Sequence, residues 1–578
     1  MEISTTNPGR DDLARWLDES PTEWSRLHPA LTRHLALRLG GPLPPAWVGE
    51  LDDFAATAAQ VIDPAVARCE SHRDLPRHVP YDGVGRRVEH VEFHPAHDVA
   101  TAAAWASGLL DTDRTLEGDL RLAGLFFLLT HVGEGGVACP IVCTIGLRRA
   151  LERRADPALA ERYVARLREV DATRAARGAQ FLTEVQGGSD VGANLVVAVP
   201  DEGVPGAWRI TGEKWFCSVA DADLFALTAR PEGAAAGTRG LGCFLVPRTL
   251  DGVTPNGFAI RRLKDKLGTR ALASAEIDFD GALGFPIGEV GDGFAIAVEE
   301  LLNVSRWLNA LGAAGIMGRA WLVASGFATR RRAFGRPIED FDGVAEQLAL
   351  LRAHADAAIA STVALSALVG RLDEGTATDD EACAHRFLVN ALKVVTSLDA
   401  TACVHDAIEV LGGNGTIEDF SVLPRLYRDA VVFESWEGTH HVLCAQIQRD
   451  AARGLVTEGL ERWFESELDR VPDVSRVVSR IVRETGRESI ARLAPGRVET
   501  LSGSDLRRVV TRVTRCVQAA MMLRGAGDDP SGDAARATAA LFVARHLGDR
   551  DSREDWDSLI KAVREPTRWG VADAPTVP

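Results

Sequence analysis

EVLGGNGTIEDFSVLPRLYRDAVVFESWEGTHHV, residues 409–442, sets the reading of this 578-residue chain. It opens as a helix, breaks on a glycine cluster, restarts behind Pro424 and ends on a carboxylate, Glu437, wedged between Trp436 and Gly438. Glycine accepts the left-handed backbone that often ends helices, so Gly412, Gly413 and Gly415 read as a stop. A carboxylate beside a large aromatic is desolvated, which raises its pKa towards neutrality and suits it to accept a proton. The alternative for Glu437 is a residue stabilised by the dipole at a helix start.

Upstream, residues 293–334, 345–372 and 381–411 space apolar positions at three and four, giving helices long enough to pack as an antiparallel bundle. Residues 176–285 change texture to short alternating runs such as AWRITGEKWFCSV and LGCFLVPRTL, divided by glycine and proline, which predict a small barrel or sandwich. Residues 1–175 read as mostly helical, and helices return after Asp450. The expected fold class is α+β, mostly α. It comprises an N-terminal helical domain (1–175), a middle β-barrel or sandwich domain (176–285), a C-terminal four-helix bundle (286–450) and an extra helical domain (451–578). A length that exceeds one compact core agrees with three or four units.

Composition is that of a globular chain, 46% hydrophobic and 25% charged. The amino terminus lacks the basic patch and apolar run of a signal peptide, and the apolar run from Leu122, LAGLFFLLTHVG, is shorter than the ~20 residues of a membrane span. A cytoplasmic location without membrane association is expected. Nine cysteines in apolar contexts include Cys139 and Cys143 at i, i+4, with no second pair to complete a metal site, so free thiols and no metal are expected. The net charge of −17 argues against whole-surface attraction to nucleic acid. Residues 476–515 nevertheless hold ten arginines against four carboxylates, with Arg476, Arg480, Arg483 and Arg487 on one helical face and Arg508, Arg512 and Arg515 repeating the spacing. Glu484 and Glu488 interrupt that stripe, which also reads as a solvated face.

Four motifs carry chemistry. FLTEVQGGSDVGAN, residues 181–194, offers backbone N–H groups, the hydroxyls of Thr183 and Ser189, and glycines that permit close approach; it also reads as a polar turn. GEKWFCSV places an aromatic, Phe216, two residues from a hydroxyl, Ser218, on a strand. TRRRAFGRPIED contains Arg331, whose planar fork suits a pyrophosphate, although a basic helix end is the plainer account of Arg330, Arg332 and Arg336. The fourth is the opening stretch itself.

In this order, over residues 95–450, these motifs resemble the acyl-CoA dehydrogenase family of flavoproteins. The resemblance implies FAD held by Thr183, Ser189, Phe216, Ser218 and Trp436, with Thr439 in the same motif. It further implies that Arg331, Phe334, Gly412 and Gly413 reach the FAD of a neighbouring subunit, hence a homodimer or homotetramer. Glu437 aligns with the family's catalytic base, which removes the α-proton of an acyl thioester opposite flavin N5; Arg306 matches the arginine near that base. Ser305 stands where some branches carry the base instead. Phe216 and Ser218 replace the commoner Trp and Thr, and Glu409 the commoner Gln. GRRVEHVEFHPAHDVATAA, GVACPIVCTIGLRRAL and RLKDKLGTRALASAEIDF resemble the AidB-like branch, where extra C-terminal helices are linked to DNA binding and protection from alkylation. The implied function is FAD-dependent α,β-dehydrogenation of an acyl-CoA or carrier-bound thioester, with the electron acceptor open. The alternatives are a flavin-dependent oxidase or monooxygenase on the same scaffold and a DNA-associated protective flavoprotein.

Overall fold

The computed structural model describes residues 7–71, 73–472, 475–527, 533–548 and 556–564. Two apolar helices, Leu116–Leu129 and Ala138–Arg154, form the centre of the N-terminal region, and nearly every residue of the first is buried. The expectation of a mostly helical start needs one correction. Arg77–Tyr81 (β1) and Arg87–Glu92 (β2) form an antiparallel hairpin around the turn DGVG. It joins the β domain, because the buried Glu89 carboxylate accepts the Ile260 N–H at 2.7 Å and the His78 ring at 2.9 Å.

The middle region is a barrel of seven strands: β3 (Gly178–Phe181), β4 (Val197–Pro200), β5 (Trp208–Ser218), β6 (Leu224–Pro231), β7 (Gly242–Pro247), β8 (Phe258–Leu263) and β9 (Ser274–Pro286). The ring closes because β6 pairs with both β4 and β7, while β3 and β8 flank it on β6 and β9. Phe181, Phe225, Phe244 and Phe279 fill the interior. The long pair β5–β9 slips register between Lys214↔Ile277 and Cys217↔Ala275, so two residues, Trp215 and Phe216, oppose one. Such a bulge re-aims side chains, and Phe216 emerges 54% exposed.

The bundle consists of a helical run from Val290 to Arg330, then Asp342–Asp373, Asp379–Leu411, Leu423–Ser435 and His440–Ala452. The third is started by a capping box between Thr378 and Glu381 and stopped at Gly412, φ +61°. Gly315 lets the first bundle helix cross Leu116–Leu129 closely, since a Cβ there would lie 2.1 Å from Thr130 Oγ1.

The expectation from apolar run length also needs correction. Val290–Arg330, Asp342–Asp373 and Asp379–Thr416 are each long and apolar enough to cross a membrane by composition, yet 94%, 83% and 83% of their most apolar windows are buried inside the protein. Their apolar surface is the bundle core. Further helices, Thr457–Leu468, Arg476–Ala491, Gly503–Gly525, Asp533–His546 and Trp556–Arg564, pack beside it. They are tied down by buried ion pairs: Glu467 between Arg38 and Arg524, and Asp399 with Arg515.

Candidate active site

The helix Leu423–Ser435 ends at Trp436, and the next begins at His440. Between them Glu437 adopts φ +59°, a left-handed value that costs a residue with a Cβ about 1 kcal/mol or more and persists only where its surroundings enforce it. Two buried cations enforce it. Arg306 Nε donates to the Glu437 carbonyl at 3.0 Å, and Lys393 Nζ donates to the carbonyls of Glu434 and Gly438 at 2.8 and 3.0 Å. Arg306 is itself fixed by side-chain carbonyls of Asn390 and Gln446, each at 3.1 Å. Gly438, φ +103°, completes the turn, and a Cβ there would sit 3.0 Å from Leu443.

Burial pushes the Glu437 carboxyl up to about 7, against the opposing pull of Arg306 and Lys393. Burial likewise lowers Lys393 to about 7, against the attraction of Glu437, and Arg306 to about 10. A carboxylate that titrates near neutrality can both take and release a proton under ordinary conditions.

Glu437 and Trp436 line a narrow slot with Phe126, Val142, Leu308 and Phe433. Cys139 and Cys143 also face it, 3.8 Å apart at sulfur and unbonded; all nine cysteines are free. Ser305 lines the slot and donates to Gln180 at 3.3 Å; with no carboxyl, it supplies no base.

The β domain carries a second surface, joined to the slot through the Ser305–Gln180 hydrogen bond. The Thr183 carbonyl accepts the Trp215 N–H at 2.9 Å, placing the 183–194 loop beside the bulge that exposes Phe216. Gly188 folds against Thr183, where a Cβ would lie 2.7 Å from Oγ1, and Ser189 is exposed on the same loop. Ser218 shares a hydrogen bond with Ser274 at 3.0 Å, and Lys266 donates to Ser274 at 3.0 Å. Lys264 lies 3.5 Å from the Trp215 ring centre and 4.7 Å from that of Phe216. An exposed aromatic, hydroxyls and a tight glycine loop are the right chemistry for a planar, polar-edged ring system, so this surface fits a flavin.

Several residues that the motifs do not single out hold slot and surface in place. Glu184 accepts the Leu195 N–H at 2.6 Å and pairs with the fully buried Lys214 at 2.8 Å, anchoring the 183–194 loop to the barrel. Asp429 accepts the N–H groups of Thr269 and Glu134 at 2.6 and 2.9 Å, joining bundle, barrel and N-terminal helices at one point. Burial raises Glu134 to about 8. Lys393 had one visible signal, a lone lysine in the apolar run FLVNALKVV. Glu184 stands within FLTEVQGGSDVGAN and Asp429 within the opening stretch, but their anchoring roles were not legible there, since Lys214, Thr269 and Glu134 lie far off in sequence.

Arg331, Phe334, Gly412 and Gly413 stand apart from this group. The helix Asn303–Arg330 separates Arg331 from Arg306 by about 37 Å of rise. Phe334 is 97% exposed at φ +49°, and both glycines are exposed at the end of the third bundle helix. Gln347 donates to Glu409 beside them at 2.9 Å. Thr439 is exposed and forms no side-chain cap at the start of its helix. His440 bonds Ser397 at 3.2 Å and is held at about 4 by burial, hence neutral.

The arginine stripe is largely engaged. Arg483 and Arg487 pair with Glu465, Arg508 with Asp505 and Arg515 with Asp399. The Arg476 side chain lies outside the described residues.

Three family models match: acyl-CoA dehydrogenase C-terminal domain over residues 291–452, acyl-CoA dehydrogenase middle domain over 179–282, and adaptive response protein AidB N-terminal domain over 47–171. The putative acyl-CoA dehydrogenase AidB of Escherichia coli is 31% identical over 438 residues, 72% of this chain and 77% of that one. Acyl-CoA dehydrogenase family member 11 of Caenorhabditis elegans is 31% identical over 66% of this chain and 63% of its own length. The solved structure of Caenorhabditis elegans ACDH-11 in complex with C11-CoA superposes with a TM-score of 0.83 at 26% identity, covering 96% of both chains. The Bd2924 apo-form gives 0.78 at 29% identity, covering 90% of this chain and 99% of that one.

Proposed function

Because this chain belongs to the acyl-CoA dehydrogenase family, with an AidB-type N-terminal domain, we propose that it oxidises the α,β bond of an acyl-CoA thioester with Glu437 as the base. The observation that carries this reading is Glu437 itself, a carboxylate fixed on a left-handed backbone at the wall of an apolar slot and titrating at about 7. FAD is the family's cofactor; bound here, it supplies the hydride acceptor for the β-hydrogen. Thr183, Ser189, Phe216 and Ser218 would hold it from the barrel side.

The chain's own residues do the rest. Trp436, Phe126 and Phe433 exclude water and orient the acyl group along the slot. The Glu437 carboxylate takes the α-proton, while Arg306 and Lys393 stabilise its ionised form and lock the turn that aims it. Gly412, Gly413, Arg331 and Phe334 are assigned to the cofactor of a second subunit, which their distance from Glu437 and the exposure of Phe334 support. Nine free thiols suit a reducing, cytoplasmic setting. With most of the arginine stripe paired to carboxylates, DNA binding is the weaker reading.

The test is an absorbance spectrum of the purified protein followed by anaerobic titration with acyl-CoA thioesters. A flavin band bleached by a thioester in the wild type, and unbleached by the same thioester in Glu437→Gln, is the expected result. A colourless protein, or equal bleaching of the variant, overturns the proposal.

A further inference from the structure

On the outer face of the barrel, two serines and a lysine form a hydrogen-bonded chain. Cys217 is fully buried in the barrel core, so Phe216 and Ser218 on either side of it point outward. Ser218 Oγ lies 3.0 Å from Ser274 Oγ on β9, and Lys266 Nζ donates to Ser274 Oγ at 3.0 Å and to the Leu272 carbonyl at 2.7 Å. Lys266 stands in the turn between β8 and β9, which is pinned where Asp429 accepts the Thr269 N–H at 2.6 Å and Glu70 accepts the Ala271 N–H at 2.7 Å. The carboxyls of Glu134, Glu70 and Asp429 attract its ammonium, and Glu134 in turn accepts the N–H of Cys139, a residue of the slot, at 3.1 Å. The lysine thus links the slot to the surface that carries Phe216 and Ser218.

The lysine fixes which way the chain runs. An ammonium donates and does not accept, so the Ser274 hydrogen cannot point at Lys266. Ser274 is 4% exposed, and among the described residues its hydroxyl has one other partner, Ser218. The Ser274 O–H therefore donates to Ser218 Oγ, and the Ser218 hydrogen is left to point away from the chain. Ser218 is half-buried, and its hydroxyl has no further hydrogen-bond partner among the described residues. Resting on the FAD-binding reading above, we propose that Lys266 is a positioning residue for the cofactor: through Ser274 it sets the Ser218 hydroxyl as a hydrogen-bond donor to an acceptor atom of the flavin ring. Bonds in a chain polarise one another, so the lysine at the far end also strengthens the last one. Without Lys266 the two hydroxyls are free to reverse, and Ser218 can turn its hydrogen inward.

The test is FAD affinity, read from the flavin fluorescence as flavin-free, full-length protein is titrated with FAD. The oxidised ring is uncharged, so loss of the Lys266 charge by itself changes its binding little. Ser218→Ala, Ser274→Ala and Lys266→Met should each weaken binding about threefold to tenfold, the net worth of one hydrogen bond. Ser274→Thr, which keeps the hydroxyl, should stay within about twofold of the wild type. Because Ser274 and Lys266 act through Ser218, neither Ser274→Ala nor Lys266→Met should add more than about twofold once Ser218 is already alanine. If Lys266→Met does not fold, Ser274→Ala tests the same link, since it cuts the lysine off from Ser218 and leaves the bond to Leu272 in place. Wild-type affinity in either single serine variant, or losses that multiply in the double variant, overturn the proposal. If the wild-type protein binds no FAD, the cofactor reading fails first and takes this inference with it; the two failures are therefore distinct.

Discussion

Glu437→Gln separates what this residue does for chemistry from what it costs the fold. Its carboxyl titrates at about 7 in the folded chain against 4.5 as its ordinary value. Below pH 4.5 both folded and unfolded states are protonated, and the residue carries no penalty. Between 4.5 and 7 the unfolded chain has released its proton and the folded chain has not, so stability falls as pH rises through this window. Above 7 the penalty is complete, about 3 kcal/mol for a shift of this size. Gln cannot titrate and keeps the shape, so the variant should match the wild type near pH 4.5 and exceed it by up to about 3 kcal/mol at pH 8. For a chain this long, unfolding as one unit, that is roughly 2–3 °C in melting temperature. The assay is the difference in melting temperature between variant and wild type, both FAD-loaded, from pH 4.5 to 8.5. A gain that grows through pH 5–7, with substrate bleaching reduced by about 10³ or more, is expected. A difference that does not depend on pH would refute the burial argument, even if activity were lost.

Lys393→Met removes a charge that favours ionised Glu437, so the acidic limb of the kcat/KM profile should move to higher pH, by about half a unit or more; an unmoved limb would exclude Lys393 from the electrostatics of the site. Glu467, held between Arg38 and Arg524, is lowered to about 2, so its contribution is full above pH 4.5 and lost as pH falls towards 2. Glu467→Gln should therefore destabilise at pH 7 by about 3–5 kcal/mol, leaving two buried guanidiniums under-paired, and flatten acid unfolding below 4.5; denaturant titration at both pH values checks it. Phe334→Asp should leave the fold intact yet shift sedimentation towards the monomer and lower retained FAD. An unchanged oligomer with full flavin would remove the second-subunit assignment.

The elements that could be read in advance share one property: their cause is local. The glycine stop at Gly412, the alternation of 208–218 and the helical spacing of 381–411 are written within a dozen residues of where they act. The β1–β2 hairpin went unread within a region taken as mostly helical, and its place in the β domain depends on Glu89 reaching Ile260, 171 positions away. The site divides along the same line. Trp-Glu-Gly alone does not single out Glu437, which stands out only with the motifs around it, and what fixes its turn is supplied from a distance: Arg306, 131 residues earlier, holds its carbonyl, and Lys393, 45 residues before Gly438, holds the turn. Asn309 is the limiting case. In sequence it is one polar residue on a buried helix, VSRWLNALGAAG, indistinguishable from any asparagine that bonds its own backbone. Only the packing of Phe433 against it shows which amide atom is occupied. A motif can thus point to a candidate group, while the contacts that fix its surroundings come from residues that no local pattern ties to it.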